Sequence, residues 1–268
     1  MNPPMTLRPW ADCPDADLAG LRGVLTDIDD TLTRDGTIEP SALAALHRLA
    51  AAGLPVIAVT GRPAGWSEPF ALAWPVQAIV AENGAVMLRR HANAGVAIEF
   101  ADPLPLRQAN ASRLAACAQA VLSEVSGATL ARDSAGRLTD IAIDHSEFAH
   151  LPATQIASVV AVMRRHGLTA TVSSIHVNGW IGPHHKFSGA CWAVQQVLGG
   201  ELHPAEWLYV GDSSNDQVMF ERLPLSVGVA NIARFVPVLE HQPAWVTLGE
   251  RGAGFAEVAE KILASRVA

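Results

Sequence analysis

The fold of this chain is decided by the segment Val24-Leu25-Thr26-Asp27-Ile28-Asp29-Asp30-Thr31-Leu32-Thr33. A short apolar run leads directly into three carboxylates within four residues. So much negative charge at the end of a strand is costly unless a cation or a reaction requires it. In an extended segment alternate side chains share a face, so we expect Asp27 and Asp29 to point the same way while Ile28 turns into the core.

Three interpretations compete for this segment. An EF-hand calcium loop requires Gly at position 6 and Glu at position 12, but counting from Asp27 these positions hold Leu32 and Ile38. A solvated acidic turn is the plain alternative, because Asp and Thr are ordinary turn residues. The third interpretation is a nucleophilic carboxylate beside a proton-handling carboxylate at a Mg²⁺ site. The rest of the chain has to decide between the last two.

The composition indicates a soluble protein with a sizeable core. The chain has 268 residues, of which 50% are hydrophobic, and a formal charge of -7 without any long basic run. This balance argues against nucleic acid or a membrane as the main partner and favours a small molecule. Cys13, Cys117 and Cys191 lack the spacing of a zinc site and predict reduced thiols in a cytoplasmic protein. The first 17 residues lack the apolar run of a secretory signal, so we expect no export.

Strands alternate with helices at both ends of the chain. Apolar runs over residues 23–28, 54–59 and 76–81 are separated by helix-like segments and end in small or polar residues. This pattern predicts an α/β fold with a doubly wound parallel, Rossmann-like sheet. Ligands of such sheets bind at the carboxyl ends of the strands, where Asp27 and Thr60 are predicted to lie.

The alternation is interrupted between residues 85 and 182. A long amphipathic helix over 106–125 is followed by hairpin-forming runs at 128–132 and 138–144, which indicates a separate α+β module. We therefore predict an N-terminal arm over residues 1–20, a catalytic core formed by 21–84 and 183–268, and an inserted α+β cap domain over 85–182 that selects the substrate.

Polar residues cluster at four strand ends or helix starts of the predicted sheet. The clusters are Asp27/Asp29, Thr60, Lys186 and Asp212/Asn215/Asp216. Lys186 and Lys261 are the only lysines in the chain, so a lysine in mid-chain is a candidate for a specific role. Mg²⁺ prefers oxygen ligands and commonly bridges one or two carboxylates to a phosphate. Asp27 and Asp212 would supply those carboxylates.

These clusters resemble the four ordered motifs of the haloacid dehalogenase (HAD) superfamily of Mg²⁺-dependent phosphohydrolases. The motifs are met by Asp27-Ile28-Asp29-Asp30-Thr31, Val59-Thr60-Gly61-Arg62, Lys186 and Gly211-Asp212-Ser213-Ser214-Asn215-Asp216. The insertion, with Glu82-Asn83-Gly84-Ala85 at its entrance and Ser226-Val227-Gly228-Val229-Ala230 late in the chain, resembles the Cof-type and sucrose- or mannosyl-3-phosphoglycerate-phosphatase branch. The resemblance extends from about residue 22 to the C-terminus. The chain departs from the pattern in two places, with Asp30 where many members have Gly and Phe187 directly after Lys186.

The resemblance implies a mechanism and a set of site residues. Asp27 would attack the phosphorus to form an aspartyl-phosphate, and Asp29 would act as general acid and then base. The metal ligands implied are Asp27, the backbone carbonyl of Asp29, and Asp212. The phosphate-binding residues implied are Thr60, Gly61 and Lys186, and Asn215 would bind the phosphate or support the loop. Asp216 lies four residues beyond Asp212 and so shares its face if a helix starts there, which suits a water-mediated metal contact or an ion pair with Lys186.

Substrate recognition is predicted to involve the end of the inserted cap. In residues 174–180, Ile175 and Val177 are expected to pack inward. The opposite, open face would suit sugar hydroxyls and is formed by Ser174, His176, Asn178 and Trp180. His184 and His185 resemble a zinc-binding pair, but the sequence offers no third ligand, which favours solvated or supporting histidines.

The sequence therefore predicts a Mg²⁺-dependent phosphatase that acts on a small phosphate monoester such as a sugar phosphate. A phosphotransferase or phosphomutase would use the same Asp27 and pass the phosphoryl group to another hydroxyl. A non-catalytic metal- or sugar-phosphate-binding protein is the remaining alternative. It is disfavoured because neither Asp27 nor Asp29 is replaced.

Overall fold

The structure is a computed structural model that describes residues 7–91 and 95–266. Its strands are β1 (Arg8–Pro9), β2 (Gly23–Thr26), β3 (Thr33–Arg34), β4 (Thr37–Ile38), β5 (Val56–Val59), β6 (Ala78–Ala81), β7 (Val86–Arg90), β8 (Val96–Phe100), β9 (Thr129–Leu130), β10 (Asp140–Asp144), β11 (Thr169–Val172), β12 (His176–Trp180), β13 (Trp207–Gly211), β14 (Leu225–Gly228) and β15 (Trp245–Val246). Its α-helices are α1 (Asp15–Leu18), α2 (Pro40–Ala51), α3 (Ala64–Ala73), α4 (Leu104–Glu124), α5 (Ala153–Arg165), α6 (Lys186–Leu198), α7 (Gln217–Arg222) and α8 (Arg251–Ser265).

Residues 7–59, 73–78 and 190–266 form one compact unit, which we call the first unit. Six of its strands lie side by side in the order β1-β15-β14-β13-β2-β5, and all neighbours are parallel. The central strands are buried along their whole length, as expected for a parallel sheet whose strands read as continuous apolar runs. The predicted parallel α/β core is confirmed.

The register of this sheet brings two strand ends together. Val210 of β13 pairs with Thr26 of β2, and the amide of Asp27 donates a hydrogen bond to the Val210 carbonyl at 2.8 Å. The residues that follow the two strands therefore leave the sheet at the same edge. Asp27 follows β2 there and Asp212 follows β13, while Ile28 is fully buried as predicted.

Residues 60–72, 79–91 and 95–189 belong to the second unit. Here β6, β7 and β8 pair in antiparallel fashion, and the predicted turn between β7 and β8 lies on residues 92–94, outside the described residues. A second antiparallel sheet has the order β11-β12-β10-β9, and α4 and α5 pack against it. The α+β character predicted for the insertion is confirmed. The domain boundaries at residues 85 and 182 stay a prediction.

The core of the second unit lies between its helices and the four-stranded sheet. Buried side chains from α4, α5, β10 and β12 meet there, among them Cys117, Val121, Ile143, Met163 and Val177. Cys117 is thus one of the packed residues of this core. The three cysteines Cys13, Cys117 and Cys191 are free thiols, in agreement with the predicted reduced state.

The prediction that the polar face of β12 is open is wrong. His176, Asn178 and Trp180 are each no more than 2% exposed, and Ser174 just before the strand is also buried. The strand lies between β10 and β11, and its polar side chains are held in a hydrogen-bond network described below. Alternation along the strand predicted which residues share a face but not that the polar face is covered.

The predicted N-terminal arm lies partly outside the described residues. Within it, Arg8–Pro9 pairs with β15, and Trp10 is almost completely buried. In residues 7–91 and 95–266, none of the helices combines the length and the hydrophobicity that crossing a membrane requires.

Candidate active site

Three carboxylates of the first unit converge beyond the ends of β2 and β13. One oxygen each of Asp27, Asp212 and Asp216 lies within 4.8 Å of the other two, and all three side chains are buried. The pKa of Asp212 is raised well above its ordinary value, mainly by burial and further by repulsion from Asp27 and Asp216. A bound cation would offset this repulsion and favour the ionised cluster.

The carboxylate of Asp212 has one satisfied and one unsatisfied oxygen. Its Oδ2 accepts hydrogen bonds from Asn231 Nδ2 at 3.2 Å and from Arg234 Nη2 at 3.4 Å. Its Oδ1 is buried without a hydrogen-bond partner among the described residues. A buried polar atom in that state is costly, and a metal ligand bond is one way to satisfy it. The donor set therefore fits a hard divalent cation.

Asp216 shapes the loop after β13. Its Oδ2 accepts hydrogen bonds from the amides of Asp212 and Ser213 at 2.9 and 3.0 Å, and its Oδ1 accepts one from the hydroxyl of Tyr209. Together with the Ser213 side chain it forms a capping box at the start of the short helix that follows. These contacts assign Asp216 to holding the loop that carries Asp212. Its water-mediated metal contact and its pairing with Lys186 stay predictions.

Asn215 lies in the same loop and is buried. Its Oδ1 accepts a hydrogen bond from Ser213 Oγ at 2.8 Å, which orients the side-chain amide. Because Oδ1 is engaged as an acceptor, the amide nitrogen is the group that this residue can direct at a phosphate oxygen. Its phosphate-binding role stays a prediction.

Asp29 and Asp30 follow Asp27 and are both half-buried. Asp30 has a φ of +56°, which is the left-handed region that favours glycine. This backbone conformation explains why glycine suits this position of the motif. Asp30 also bonds to arginine side chains of the first unit. The proton-transfer role of Asp29 stays a prediction.

The loop after β5 carries the second motif and belongs to the second unit. The Thr60 amide donates to the Val80 carbonyl at 2.8 Å, and Thr60 Oγ1 accepts a hydrogen bond from the Arg62 amide at 3.0 Å. The hydroxyl proton of Thr60 can then be donated elsewhere. The Gly61 carbonyl accepts from Arg137 Nη1 at 3.0 Å and from Asn178 Nδ2 at 3.1 Å.

Lys186 is the first residue of α6 and is 2% exposed. A lysine that is so deeply buried is uncommon unless its charge is compensated. The structure thus places Lys186 in an environment consistent with a specific role, and phosphate binding stays a prediction.

The two histidines before Lys186 have different surroundings. The carbonyl of His184 accepts a hydrogen bond from Trp180 Nε1 at 2.9 Å, and the two rings are stacked with centroids 5.7 Å apart. His185 Nδ1 accepts a hydrogen bond from the Ser188 amide at 3.2 Å at the start of α6. These contacts agree with supporting histidines.

A buried ionic network in the second unit surrounds the loop after β5. Arg62 pairs with Glu147 at 2.7 Å and with Asp133 at 3.1 Å, and His176 Nε2 lies 2.9 Å from Glu147 Oε2. Although burial acts in the opposite direction, hydrogen bonds from His176 and Arg62 lower the pKa of Glu147 to about 2. Glu147 is therefore held ionised, and His176 is already engaged by a protein carboxylate.

A second part of this network is built around Arg137. Its guanidinium pairs with Asp140 at 2.8 Å and with Asp133 at 3.2 Å. Asn83 and Asn178 also donate to Asp140 Oδ2, at 3.5 and 3.4 Å. The predicted substrate residue Asn178 thus bonds to protein groups on two sides.

Several supporting residues were missed by the sequence analysis. Tyr209 is the only tyrosine of the chain and lies on an apolar strand, which was a usable signal for a specific partner. Asn231 directly follows the Ser226–Ala230 segment that was noted as a motif. Arg234 and Arg137 carry no signal in the sequence, because their partners lie far away along the chain.

Comparison with known proteins agrees with this architecture. Residues 24–114 match the family model described as haloacid dehalogenase-like hydrolase. Solved structures with the same fold are matched over nine tenths of the chain. The matched residues include the first two of the four motifs, so the predicted resemblance to haloacid dehalogenase-like hydrolases is confirmed. A search of curated proteins finds no match.

Three solved structures illustrate the similarity of fold. A Thermoplasma acidophilum protein is 18% identical with a TM-score of 0.68, and the match covers 91% of this chain and 98% of that one. The sucrose-phosphatase from Synechocystis sp., solved with sucrose and phosphate, is 14% identical with a TM-score of 0.65, covering 90% and 98%. A HAD/COF-like hydrolase from Plasmodium vivax is 16% identical with a TM-score of 0.66, covering 93% and 99%. At these identities the likeness establishes the fold.

Proposed function

We propose that this chain is a Mg²⁺-dependent phosphatase that hydrolyses a small phosphate monoester, a sugar phosphate or a related metabolite, through an aspartyl-phosphate. The observation that carries the proposal is the buried cluster of Asp27, Asp212 and Asp216, in which Asp212 Oδ1 has no partner among the described residues. Asp212 Oδ2 pairs with Arg234 at 3.4 Å, but that ion pair leaves Oδ1 unsatisfied. The cluster therefore offers an oxygen ligand of the kind that Mg²⁺ prefers.

The residues that would hold Mg²⁺ are Asp27 and Asp212 through their carboxylates and, by family resemblance, Asp29 through its backbone carbonyl. When bound, Mg²⁺ offsets the repulsion between a carboxylate nucleophile and the phosphoryl oxygens. Asp216 supports this arrangement by holding the loop that carries Asp212.

The reaction consists of two displacements at phosphorus. A carboxylate oxygen of Asp27 forms a bond to phosphorus as the ester P–O bond breaks, and Asp29 protonates the departing oxygen. In the second displacement Asp29 takes a proton from water as the water oxygen attacks the phosphorus. The bond to Asp27 then breaks, which releases inorganic phosphate and returns Asp27 as a carboxylate and Asp29 as the protonated acid.

The phosphoryl oxygens would be held by Thr60, Gly61, Lys186 and Asn215. Because Thr60 Oγ1 accepts the Arg62 amide, its hydroxyl proton is left to donate to a phosphoryl oxygen. The backbone amide of Gly61 is a second donor. The ammonium of Lys186 would add a compact point charge. An arginine, whose guanidinium is a planar fork, would not be equivalent at this position.

The substrate class is proposed from the solved neighbour and from the cap residues. The sucrose-phosphatase was solved with sucrose and phosphate, and its fold extends over nearly the whole of this chain. Of the four predicted substrate residues, Ser174 has a buried Oγ without a hydrogen-bond partner among the described residues. A sugar hydroxyl would satisfy that atom, so Ser174 is the member of this set that we favour for substrate binding.

The test is a measurement of phosphate release from several dozen phosphorylated metabolites, with Mg²⁺ and with EDTA. We expect activity on a subset of sugar phosphates that EDTA abolishes. Asp27→Asn should lower the rate at least about a thousandfold, because it removes the nucleophile. Asp35→Asn is the matched control, since Asp35 is an exposed carboxylate eight residues further along the chain.

Two outcomes would overturn the proposal. If Asp27→Asn left phosphate release unchanged, Asp27 would not be the nucleophile. If substrate were consumed without release of phosphate while a second phosphorylated product formed, the chain would be a phosphotransferase.

A further inference from the structure

Asp30 is the residue at which this chain departs from the glycine of many HAD motifs, and it is heavily bonded. Its Oδ1 accepts a hydrogen bond from Arg251 Nε at 2.7 Å, and its Oδ2 accepts one from Arg234 Nη2 at 2.9 Å. Its backbone carbonyl accepts a third, from Asn231 Nδ2 at 3.0 Å. Three residues from the C-terminal part of the first unit thus converge on one residue of the first motif.

The backbone at this contact is strained on both sides. Asp30 has a φ of +56° and Arg251 a φ of +50°, both in the region that non-glycine residues rarely adopt. Such conformations persist only where surrounding contacts maintain them. A glycine would relieve the strain at position 30 but would remove the carboxylate. The side chain of Asp30 therefore has a role that offsets its backbone cost.

Arg234 is shared between Asp30 and the cation cluster. The same nitrogen, Nη2, lies 2.9 Å from Asp30 Oδ2 and 3.4 Å from Asp212 Oδ2. The Arg234 side chain is 45% exposed, whereas that of Asp212 is completely buried. The guanidinium can therefore move, and the carboxylate of Asp212 cannot follow it.

The position of Arg234 matters because an arginine can occupy both oxygens of a carboxylate. Guanidinium groups commonly bind carboxylates through two parallel hydrogen bonds. Of the two carboxylate oxygens of Asp212, Arg234 bonds only to Oδ2, and Oδ1 has no partner among the described residues. Without its shorter bond to Asp30, Arg234 would be drawn to the second oxygen of Asp212. It would then compete with a cation for that atom.

We propose that Asp30 is a positioning residue that restrains Arg234 at one oxygen of Asp212 and thereby keeps the other oxygen for a divalent cation. The inference rests on the proposed function, since that function requires the cation. The inference goes beyond the proposed function because it gives Asp30 and Arg234 opposing effects on metal affinity. Asn231 assists, because its Nδ2 bonds to both the Asp30 carbonyl and Asp212 Oδ2.

The alternative is that Asp30 only anchors the start of α8 through Arg251. The two roles are separable because Asp30 bonds each arginine through a different oxygen. Removing Arg251 leaves the Asp30 contact with Arg234 in place. Removing Asp30 releases both arginines.

The test measures Mg²⁺ binding to the purified protein by titration calorimetry, without substrate. Asp30→Gly should weaken Mg²⁺ affinity about five- to tenfold, because Arg234 is released toward Asp212. Glycine suits the backbone at this position, so the fold should be retained. Arg234→Gln added to Asp30→Gly should return the affinity to within about twofold of wild type. Arg251→Gln is the control and should leave the affinity within about twofold of wild type.

Asp30→Asn is a second variant that keeps the side-chain volume and tolerates the left-handed backbone. It should weaken Mg²⁺ binding in the same direction, and circular dichroism and thermal unfolding verify the fold of each variant. The inference fails if Asp30→Gly and Asp30→Asn bind Mg²⁺ like wild type, or if Arg234→Gln does not restore binding. Failure of wild type itself to bind Mg²⁺ would instead refute the proposed function and this inference with it.

Discussion

Arg137 donates a hydrogen bond from Nη1 to the carbonyl oxygen of Gly61 at 3.0 Å. The two residues are 76 positions apart in the sequence, and Gly61 belongs to the loop that is proposed to bind phosphate. Asn178 donates to the same carbonyl at 3.1 Å. Two donors on one carbonyl fix the orientation of the peptide between Gly61 and Arg62. Residues that lie 76 and 117 positions further along the chain therefore orient one peptide group of the second motif.

We expect Arg137→Gln to lower the free energy of unfolding by about 3–5 kcal/mol, because breaking a buried ion pair leaves uncompensated charge. The Arg137 side chain is 2% exposed, and its partners Asp133 and Asp140 would remain buried without it. Urea unfolding at neutral pH measures the change. Arg132→Gln is the matched control, since Arg132 is exposed and its guanidinium lies 3.8 Å from the ring centroid of Phe148. A loss at Arg137 no larger than that at Arg132 would contradict the buried-pair interpretation.

Asp140 should make stability depend on pH. Burial raises the pKa of this carboxyl from 3.8 to about 7, in spite of the neighbouring charge of Arg137. Since the folded-state pKa lies above that of the unfolded chain, the folded state binds the proton more tightly. The stability gained in this way is complete below about pH 4 and is lost as the pH rises through about 7.

Asp140→Asn removes that dependence while it keeps the side-chain shape. We expect the unfolding free energy of the variant, relative to wild type, to increase as the pH rises from about 5 to about 7, by up to about 1.4 kcal/mol per pH unit. Urea unfolding at a series of pH values gives this difference, and Asp35→Asn supplies the baseline for an exposed carboxyl. A constant difference across the series would show that Asp140 does not titrate in this range.

The strand ends of the first unit could be predicted from the sequence for a physical reason. Parallel strands buried on both faces read as continuous apolar runs, and their carboxyl ends meet at one edge of the sheet. Asp27 and Asp212 follow two such runs, and the structure places their oxygens within 4.8 Å. Their convergence required only the recognition of β2 and β13 as neighbours.

The network of the second unit could not be predicted in the same way. Arg62 finds its partner Glu147 85 residues away, and neither periodicity nor spacing records such a pair. The same limit explains the wrong expectation for β12. Alternation correctly groups His176 with Asn178, but burial of that face depends on Glu147 and Asp140, which lie on other segments.

Tyr209→Phe should destabilise the loop that carries Asp212. The Tyr209 hydroxyl donates to Asp216 Oδ1, and both side chains are fully buried. Removing this donor should cost about 1–3 kcal/mol of unfolding free energy, because a buried carboxylate oxygen loses a partner. A double-mutant cycle with Asp216→Asn is the control, and the two effects should be clearly less than additive if they act through this hydrogen bond. Full additivity in urea unfolding would mean that the phenol stabilises the strand by packing alone.

Glu82 should hold two separate segments of the second unit together. It is completely buried with a φ of +49°, and its carboxylate accepts the amides of Ala64 at 3.1 Å, Leu138 at 3.0 Å and Thr139 at 2.6 Å. A carboxylate accepts all of these donors, whereas an amide would turn a donor nitrogen toward some of them.

We therefore expect Glu82→Gln to raise hydrogen exchange at the amides of Leu138 and Thr139 at least about tenfold, because these amides lose their acceptor. Hydrogen-exchange mass spectrometry or NMR measures the effect. Glu99→Gln is the matched control, since Glu99 is a partly exposed glutamate of the same unit whose 2.6 Å pair with Arg89 lies near the surface. The rigidity of residues 138–139 would have another source if their exchange stayed at the wild-type rate while Glu82→Gln lowered only the overall stability.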